Sequence, residues 1–232
     1  MTNAIYLTAT EPFSGKSIIA LGLMNLLAGK AARIAYFKPI ITRVLPVKDN
    51  TLVMMADHFK LKESYQEMFV FTRDEVVRHI NAGRESFVID TIIDRFKQLQ
   101  KSHDFVVVEG TDFVGGSANV EFNGNISVAK NLGIPVALIV KGEGKTVDEV
   151  VDVSVSITKS FVDEGVQLLT VVANKVDIES ELTIRSRLNA SLPKGTVVTT
   201  IPVNRELGNP TMKEIFESVG GRLLFGESLL TN

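Results

Sequence analysis

The segment 4-AIYLTATEPFSGKSIIALGLMNLL-27 joins two apolar runs through a loop that ends in Gly15-Lys16-Ser17. The first run has the composition of a buried strand, and the second has the periodicity of an amphipathic helix. In a strand–loop–helix unit of this kind, backbone N–H groups and the positive end of the helix converge on one point. The segment therefore predicts an anion-binding loop at the carboxyl end of a parallel strand.

Strand-like and helical patterns alternate along the rest of the chain. Their lengths predict right-handed βαβ units, and hence an α/β fold with a doubly wound, mostly parallel sheet of the P-loop NTPase type. We expect one domain over 1–232, in which 210–232 either finishes the fold or approaches a further domain. Segment 40–83 is less regular and is expected to cover an edge or end of the sheet. The predicted strands are 4–9, 32–37, 104–110, 135–140, 167–174 and 196–201, and the predicted helices are 16–29, 85–101, 124–132, 146–163 and 179–190.

Composition excludes several function classes. The 232 residues carry a net charge of −2 with no basic stripe, so a nucleic-acid partner is not expected. The absence of cysteine excludes disulfides, zinc thiolates and a cysteine nucleophile. No secretory signal or bilayer-length apolar run is visible, so we expect a cytoplasmic protein with no membrane partner. The three histidines are scattered and form no triad-like pattern, and we assign no catalytic residue.

The loop after the first strand supplies candidate anion ligands. Lys16 would reach the β- and γ-phosphates of a nucleotide, and the Ser17 hydroxyl would bind Mg²⁺. Further ligands are expected from the loop itself, so that the candidate set here is Thr10, Glu11, Ser14, Gly15, Lys16 and Ser17.

Two features of the loop keep an alternative open. Pro12 has no N–H to donate, and Ala9 (or Thr10, on the shorter spacing) stands where glycine is usual. The alternative is an ordinary helix N-terminus capped by Ser14 or Ser17.

Charged residues also follow the second and third strands. Lys38 would lie beside the phosphate loop, and Asp49 is either a helix cap or a metal ligand. Glu109 ends a buried strand, where a carboxylate is costly unless it meets a cation or hydrogen bonds. A Mg²⁺ ion held by Ser17, Asp49 and Glu109 would supply that cation. Asp112 is either a site residue or a turn residue.

The fifth strand ends in Asn174-Lys175-Val176-Asp177, which matches the Asn-Lys-x-Asp pattern that reads guanine in GTP-binding proteins. Asn174 and Lys175 would shape the base pocket, and Pro202 and Asn204, after the last strand, would lie near it. The alternative is a polar turn in which Asp177 caps the helix at 179–190.

Together these motifs resemble dethiobiotin synthetase. Its superfamily has a P-loop α/β fold and uses ATP and Mg²⁺ to activate a carboxylate or carbamate. Four runs are similar to the N-terminal domain of long-form phosphate acetyltransferases, and the likeness covers essentially the whole chain. The runs are 10-TEPFSGKSIIALGLM-24, 104-DFVVVEGTDF-113, 125-NISVAKNLGIPV-136 and 207-LGNPTMKEI-215.

The resemblance implies roles for individual residues. Lys16 and Ser17 match nucleotide and metal positions, Asp49 and Glu109 match the magnesium carboxylates, and Asn174 matches the residue that reads the base. Lys38 matches a lysine on the substrate or phosphate side. The departures from the synthetases are Ala9, Pro12, Phe13 and 111-TDF-113, and the last of these would obstruct the usual substrate-side space.

Three functional hypotheses follow from the resemblance. The first is a regulatory, ligand-sensing domain of a phosphate acetyltransferase, in which a separate C-terminal domain exchanges acetyl between acetyl phosphate and coenzyme A. Its ligand would be ATP or another nucleotide with Mg²⁺, or a small anionic effector, and we expect a homodimer or larger homo-oligomer. The second is an ATP- and Mg²⁺-dependent synthetase. The third is a structural assembly module in which Pro12 and Phe13 fill the space of the phosphates.

Overall fold

The computed structural model describes residues 3–42, 48–111, 118–204, 212–220 and 225–226. The chain divides into two compact units, Met1–Pro202 and Val203–Asn232. A single domain over 1–232 therefore stays a prediction. The strands are β1 Ala4–Ala9, β2 Ile34–Phe37, β3 Ile40–Ile41, β4 Phe71–Thr72, β5 Phe105–Glu109, β6 Val136–Lys141, β7 Leu168–Val176 and β8 Val197–Pro202. The helices are α1 Lys16–Ala28, α2 Asn50–Phe59, α3 Arg73–Asn81, α4 Glu85–Ser102, α5 Ala118–Leu132, α6 Val147–Asp163, α7 Glu181–Ser191 and α8 Met212–Val219.

The first unit is built on a six-stranded sheet in the order β2-β5-β1-β6-β7-β8. Every neighbouring pair in this sheet is parallel, so the predicted doubly wound α/β fold is confirmed. The chain leaves β1 towards β2 and β5 on one side and later returns to β6 on the other side. The carboxyl end of β1 is therefore the switch point at which open α/β sheets place their ligands.

Both faces of the sheet are covered, which explains why its strands are apolar throughout. Successive side chains of a strand point to opposite faces. Ala4 and Tyr6 accordingly join the core that contains residues of α4, α5, α6 and α7, whereas Ile5 and Leu7 join the core that contains residues of α1 and α2. The two cores fix the register of β1, because a shift by one residue would exchange all of these side chains.

Segment 40–83, expected to be less regular than the rest of the chain, contains two short strands and two helices. Strands β3 and β4 form a parallel pair, and they are too short to produce a visible alternation in the sequence. Helix α2 begins at the Asp49 cap. Helix α3 begins with a capping box in which Thr72 and Glu75 bond reciprocally. These caps were the available signals for the two helices.

Most predicted boundaries lie within two residues of the observed ones, and α5 is the main exception. It begins at Ala118, whereas the sequence predicted a start at 124. In the second unit the described helix is α8. None of the helices in the described ranges is long and apolar enough to cross a membrane.

Two glycines give a paired test of this packing. A Cβ atom on Gly142, directly after β6, would lie 2.6 Å from Val176 Cγ1 and 3.0 Å from the Val176 backbone. We expect Gly142→Ala to lower the free energy of unfolding by about 1–3 kcal/mol through overpacking. Gly22, on the exposed face of α1, has open space around it, and Gly22→Ala should raise the free energy by roughly 0.5–1 kcal/mol. Urea denaturation of both variants checks this, and equal effects would contradict the packing at β6 and β7.

Candidate functional site

A buried group of charged side chains lies at the carboxyl ends of β1, β2 and β5. Glu109, the last residue of β5, is fully buried. Its Oε1 atom lies 3.7 Å from Lys16 Nζ and 3.5 Å from Lys38 Nζ. Lys38 also pairs with Asp49 Oδ2 at 3.0 Å. We call these two lysines and two carboxylates, all of which are buried, the charge cluster.

The second oxygen of Glu109 accepts a hydrogen bond from the Tyr36 hydroxyl. The first oxygen, Oε1, is buried and makes no hydrogen bond in the described structure. A buried carboxylate oxygen that is served only by ion pairs longer than hydrogen bonds is poorly satisfied. The Glu109 position is therefore suited to a closer cation.

Lys16 reaches the turn after β5, where its ammonium group donates to the Gly110 carbonyl. Only glycine fits at that turn, because an added Cβ would lie 2.5 Å from Asn125 Oδ1 and 2.8 Å from the Tyr6 hydroxyl. Burial, followed by the charge of Glu109, raises the pKa of Tyr6 above its usual range. Tyr6 therefore stays protonated and donates to Asn125 Oδ1 at 2.7 Å.

Asp49 combines the two roles that the sequence left open. Its Oδ1 atom accepts from the backbone of Thr51 and Leu52 at 3.0 and 3.2 Å, which caps α2. Its Oδ2 atom faces Lys38. The Thr51 hydroxyl lies 3.3 Å from Ser17 Oγ, so the cap connects the predicted metal ligands of α1 and α2.

The predicted metal ligands suit a Mg²⁺ ion that is bound together with phosphate oxygens, rather than a metal ion held by protein side chains alone. The described residues contain no group of three or more His, Cys, Asp or Glu side chains that could hold a metal ion. Ser17, Asp49 and Glu109 offer one hydroxyl and two carboxylates, which is the usual protein share of a Mg²⁺ ion bound together with phosphate oxygens. The unsatisfied Glu109 Oε1 supports this assignment.

The phosphate loop contains a left-handed backbone conformation at Gly15, directly before α1, and not at its start, where Ala9 and Thr10 lie. Gly15, with φ 86°, takes the N-cap position of α1, and no side chain caps the helix there, so capping by Ser14 or Ser17 is wrong. Neither Ala9 nor Thr10 has a positive φ, so glycine is not required at either position. Phe13 has φ 59° and is 86% exposed. The interpretation that Phe13 fills the phosphate space is therefore wrong.

Side chains from the end of β7 hold this loop. Asn174 Nδ2 donates to the Ser14 carbonyl at 2.7 Å, and Lys175 Nζ donates to the Phe13 carbonyl at 3.1 Å. Gly15 passes so close to Asn174 that a Cβ there would lie 2.3 Å from Nδ2. The predicted base-reading residues thus contact the predicted phosphate loop directly.

Lys175 has φ 57° and, with Phe13 and Lys60, makes up the non-glycine residues with positive φ in the described part of the chain. Two of these three strained residues contact each other at the loop. Such strain persists only where the surrounding contacts enforce it, and it concentrates at functional sites.

The remaining predicted site residues are more dispersed. Glu11 pairs with Lys145, which also donates to the Lys141 carbonyl at 3.0 Å. The Thr10 hydroxyl is buried and has no hydrogen-bond partner in the described structure. Pro202 ends β8 and pairs in register with Val176 of β7. Asn204 is exposed and belongs to the second unit. Asp112 and Phe113 lie outside the described residues.

Sequence reasoning missed Tyr36, Thr51 and Lys145. Tyr36 is fully buried in β2, and its hydroxyl needs a partner there; this requirement could have pointed to a polar group such as Glu109. Thr51 lies in the first turn of α2, close to the Asp49 cap. Lys145, in the connection between β6 and α6, pairs with Glu11 in the loop after β1, and nothing in its sequence context indicates that contact.

A separate cavity of about 130 Å³ lies beside the charge cluster, where Gly110 and Thr111 line part of its wall. Apolar side chains of α3 and the polar residues Thr42 and Arg73 line other parts.

Comparison with known proteins places this geometry in a family. The AAA domain family matches residues 3–211. The chain belongs to the AAA domain family. The resemblance drawn from the motifs is also confirmed: the chain is 34% identical over 238 residues to phosphate acetyltransferase of Nitratidesulfovibrio vulgaris. It is 31% identical over 234 residues to phosphate acetyltransferase of Synechocystis sp..

This AAA domain corresponds to only part of those relatives. The matches cover 99% and 100% of the chain but 33% and 34% of the two phosphate acetyltransferases, so the chain spans about a third of their length. ATP-dependent dethiobiotin synthetase of Clostridium kluyveri is 23% identical over 191 residues, which is 76% of either protein. Among solved structures, the ATP complex of Cyanothece McdA is similar with a TM-score of 0.54 and 13% identity, covering 97% of this chain and 99% of McdA. That likeness shows the fold alone.

The charge cluster makes a stability prediction. Glu109→Gln should lower the free energy of unfolding at neutral pH by about 3–5 kcal/mol, because it removes the buried carboxylate that faces both Lys16 and Lys38. The exposed pair of Lys159 and Asp163 provides the control, and Asp163→Asn should leave stability almost unchanged. Urea denaturation measures both, and similar midpoints for the two variants would contradict the buried ion pairs.

Proposed function

We propose that this AAA domain chain is the regulatory, ligand-sensing domain of a phosphate acetyltransferase. The similarity to a third of two such enzymes supports the assignment. The catalytic exchange between acetyl phosphate and coenzyme A would then belong to another part of the enzyme. The ligand we propose is a nucleotide with Mg²⁺. A smaller phosphate-like anion would bind through the same lysines and the same loop.

The charge cluster is the observation that carries the proposal. Glu109 lies against Lys16 and Lys38 as their buried counter-ion. A polyphosphate would attract the lysines, and its Mg²⁺ would replace them as the counter-ion of Glu109. Both arrangements neutralise the buried carboxylate, so the site can exist in two states that differ in the direction of Lys16. A ligand that favours one of these states can shift an equilibrium of the whole enzyme.

The individual residues would divide the work. Lys16 would leave the Gly110 carbonyl and bind the β- and γ-phosphates, and Lys38 would bind the terminal phosphate from the other side. Ser17 and Glu109 would hold Mg²⁺, and Asp49 would contribute when Lys38 turns to the phosphate. When bound, Mg²⁺ would neutralise phosphate charge. Backbone N–H groups around Gly15 would complete the phosphate site.

A second candidate, an ATP-dependent synthetase, is supported by one specific observation. The same lysines and carboxylates that suit an effector would suit an ATP-using reaction, and dethiobiotin synthetases are among the relatives. Release of ADP during incubation with ATP, Mg²⁺ and carboxylate substrates would favour this candidate over a sensor. A cytoplasmic location and a homodimeric or larger assembly stay predictions.

Nucleotide binding is tested by thermal unfolding. A nucleotide–Mg²⁺ ligand at a hundred times its Kd should stabilise the chain by about 2.7 kcal/mol and so raise the Tm. Lys16→Ala should abolish that shift, because it removes the phosphate-binding ammonium. Lys159→Ala, at an exposed ion pair of α6, should retain it. If no nucleotide or inorganic phosphate, with or without Mg²⁺, changes the Tm of the wild-type chain, the sensor proposal fails.

The division of labour with a catalytic domain gives a second test. The purified 232-residue chain should not transfer acetyl from acetyl phosphate to coenzyme A. The assay follows formation of acetyl-coenzyme A, with a complete phosphate acetyltransferase as the positive control. Transfer above the uncatalysed rate would show that the chain itself contains the transferase site, contrary to the proposal.

A further inference from the structure

We propose that the nucleotide site selects guanine over adenine through the carboxylate of Asp177. This inference rests on the proposed binding of a nucleotide and adds the identity of its base. The contacts made at the end of β7 carry it, together with the hydrogen-bonding chemistry of the two purines.

The first step concerns Asn174, which the resemblance assigned to base reading. Its Nδ2 group donates to the Ser14 carbonyl, and the residue is buried beneath the turn at Gly15. Because that amide hydrogen bond holds the phosphate loop, rotating the side chain towards a base would break it. The choice between bases therefore falls to a neighbouring group.

The second step concerns Lys175. Its backbone is in the left-handed region, and its ammonium reaches the Phe13 carbonyl, so the methylene chain extends towards the loop. The side chain is about one-third exposed, with a solvent-facing surface on which a flat purine can rest.

The third step concerns Asp177 itself. The alternative drawn from the sequence, that Asp177 caps the next helix, is wrong: α7 begins after Ser180 and no side chain caps it. The Asp177 backbone carbonyl accepts from Ser180 at 3.0 Å, which fixes the turn without using the carboxylate. The residue is exposed, and within the described ranges its carboxylate makes no hydrogen bond or ion pair. Its acceptor oxygens are therefore available to a ligand.

The chemistry of the two purines then decides. An ionised carboxylate only accepts hydrogen bonds. Guanine presents two donors on one edge, N1–H and the 2-amino group, and both can be accepted by one carboxylate. Adenine presents an acceptor at N1, which a carboxylate repels, and only its 6-amino group donates. A carboxylate that accepts both guanine donors therefore disfavours adenine, because adenine would leave one carboxylate oxygen without a hydrogen bond.

A comparison of two nucleotide affinities, measured with the full 232-residue chain, tests the inference. Isothermal titration with GDP–Mg²⁺ and ADP–Mg²⁺ should show GDP binding roughly tenfold to a hundredfold more tightly, the range expected for hydrogen bonds to a charged group. Asp177→Asn should remove that preference and favour xanthosine diphosphate, whose C2 oxygen accepts from the new amide. Glu179→Gln changes an exposed carboxylate two residues away and should leave GDP preferred.

The outcomes separate this inference from the proposed function. If both GDP and ADP bind but with equal affinity, or if ADP is preferred, guanine selection is overturned and nucleotide sensing stands. The same holds if Asp177→Asn leaves the preference for GDP unchanged while its Tm matches that of the wild type. If neither nucleotide binds, the proposed nucleotide site and the guanine inference both fail.

Discussion

The burial of Glu109 between two lysines is the interaction on which the site depends. A lone carboxylate at the end of a fully covered strand would be strongly destabilising, so Lys16 of α1 and Lys38, directly after β2, must lie close to it. This requirement aligns the carboxyl ends of β1, β2 and β5 at one point. The parallel sheet delivers those ends to the same edge, and the charge cluster then fixes where the phosphate loop lies over them.

The loop is held from two directions. Lys16 connects it to β5, while Asn174 and Lys175 connect it to β7. Between β5 and β7 lie β1 and β6, so the loop spans the centre of the sheet. Contacts on both sides explain how Phe13 keeps a positive φ without a glycine, because the carbonyls that such a turn exposes are satisfied by side chains of β7.

Sequence reasoning predicted the sheet well because covered parallel strands are long apolar runs with clear ends. It also brought Lys16, Lys38, Asp49 and Glu109 to one edge, since strand ends are visible in the sequence. It failed where contacts are set by tertiary structure: the strands of segment 40–83 have only two residues each, and the Glu11 pair with Lys145 crosses 134 positions. The exposure of Phe13 could not be read from the loop sequence, because it depends on the turn that β7 imposes.

The candidate site has two parts, the charge cluster around Lys16 and the turn at the end of β7, and a sensor would use them differently. A nucleotide that contacts Lys16 with its phosphates and the β7 turn with its base would connect groups that the protein itself links through the loop. Moving Lys16 from Gly110 to a phosphate would alter the turn after β5 while leaving the β7 contacts intact. Under the proposed function, the change that a nucleotide transmits would therefore be directed towards β5 rather than towards β7. In the proposed sensor, a regulatory contact with another domain would be most effective on the β5 side of the sheet, because the proposed movement of Lys16 away from Gly110 would occur there.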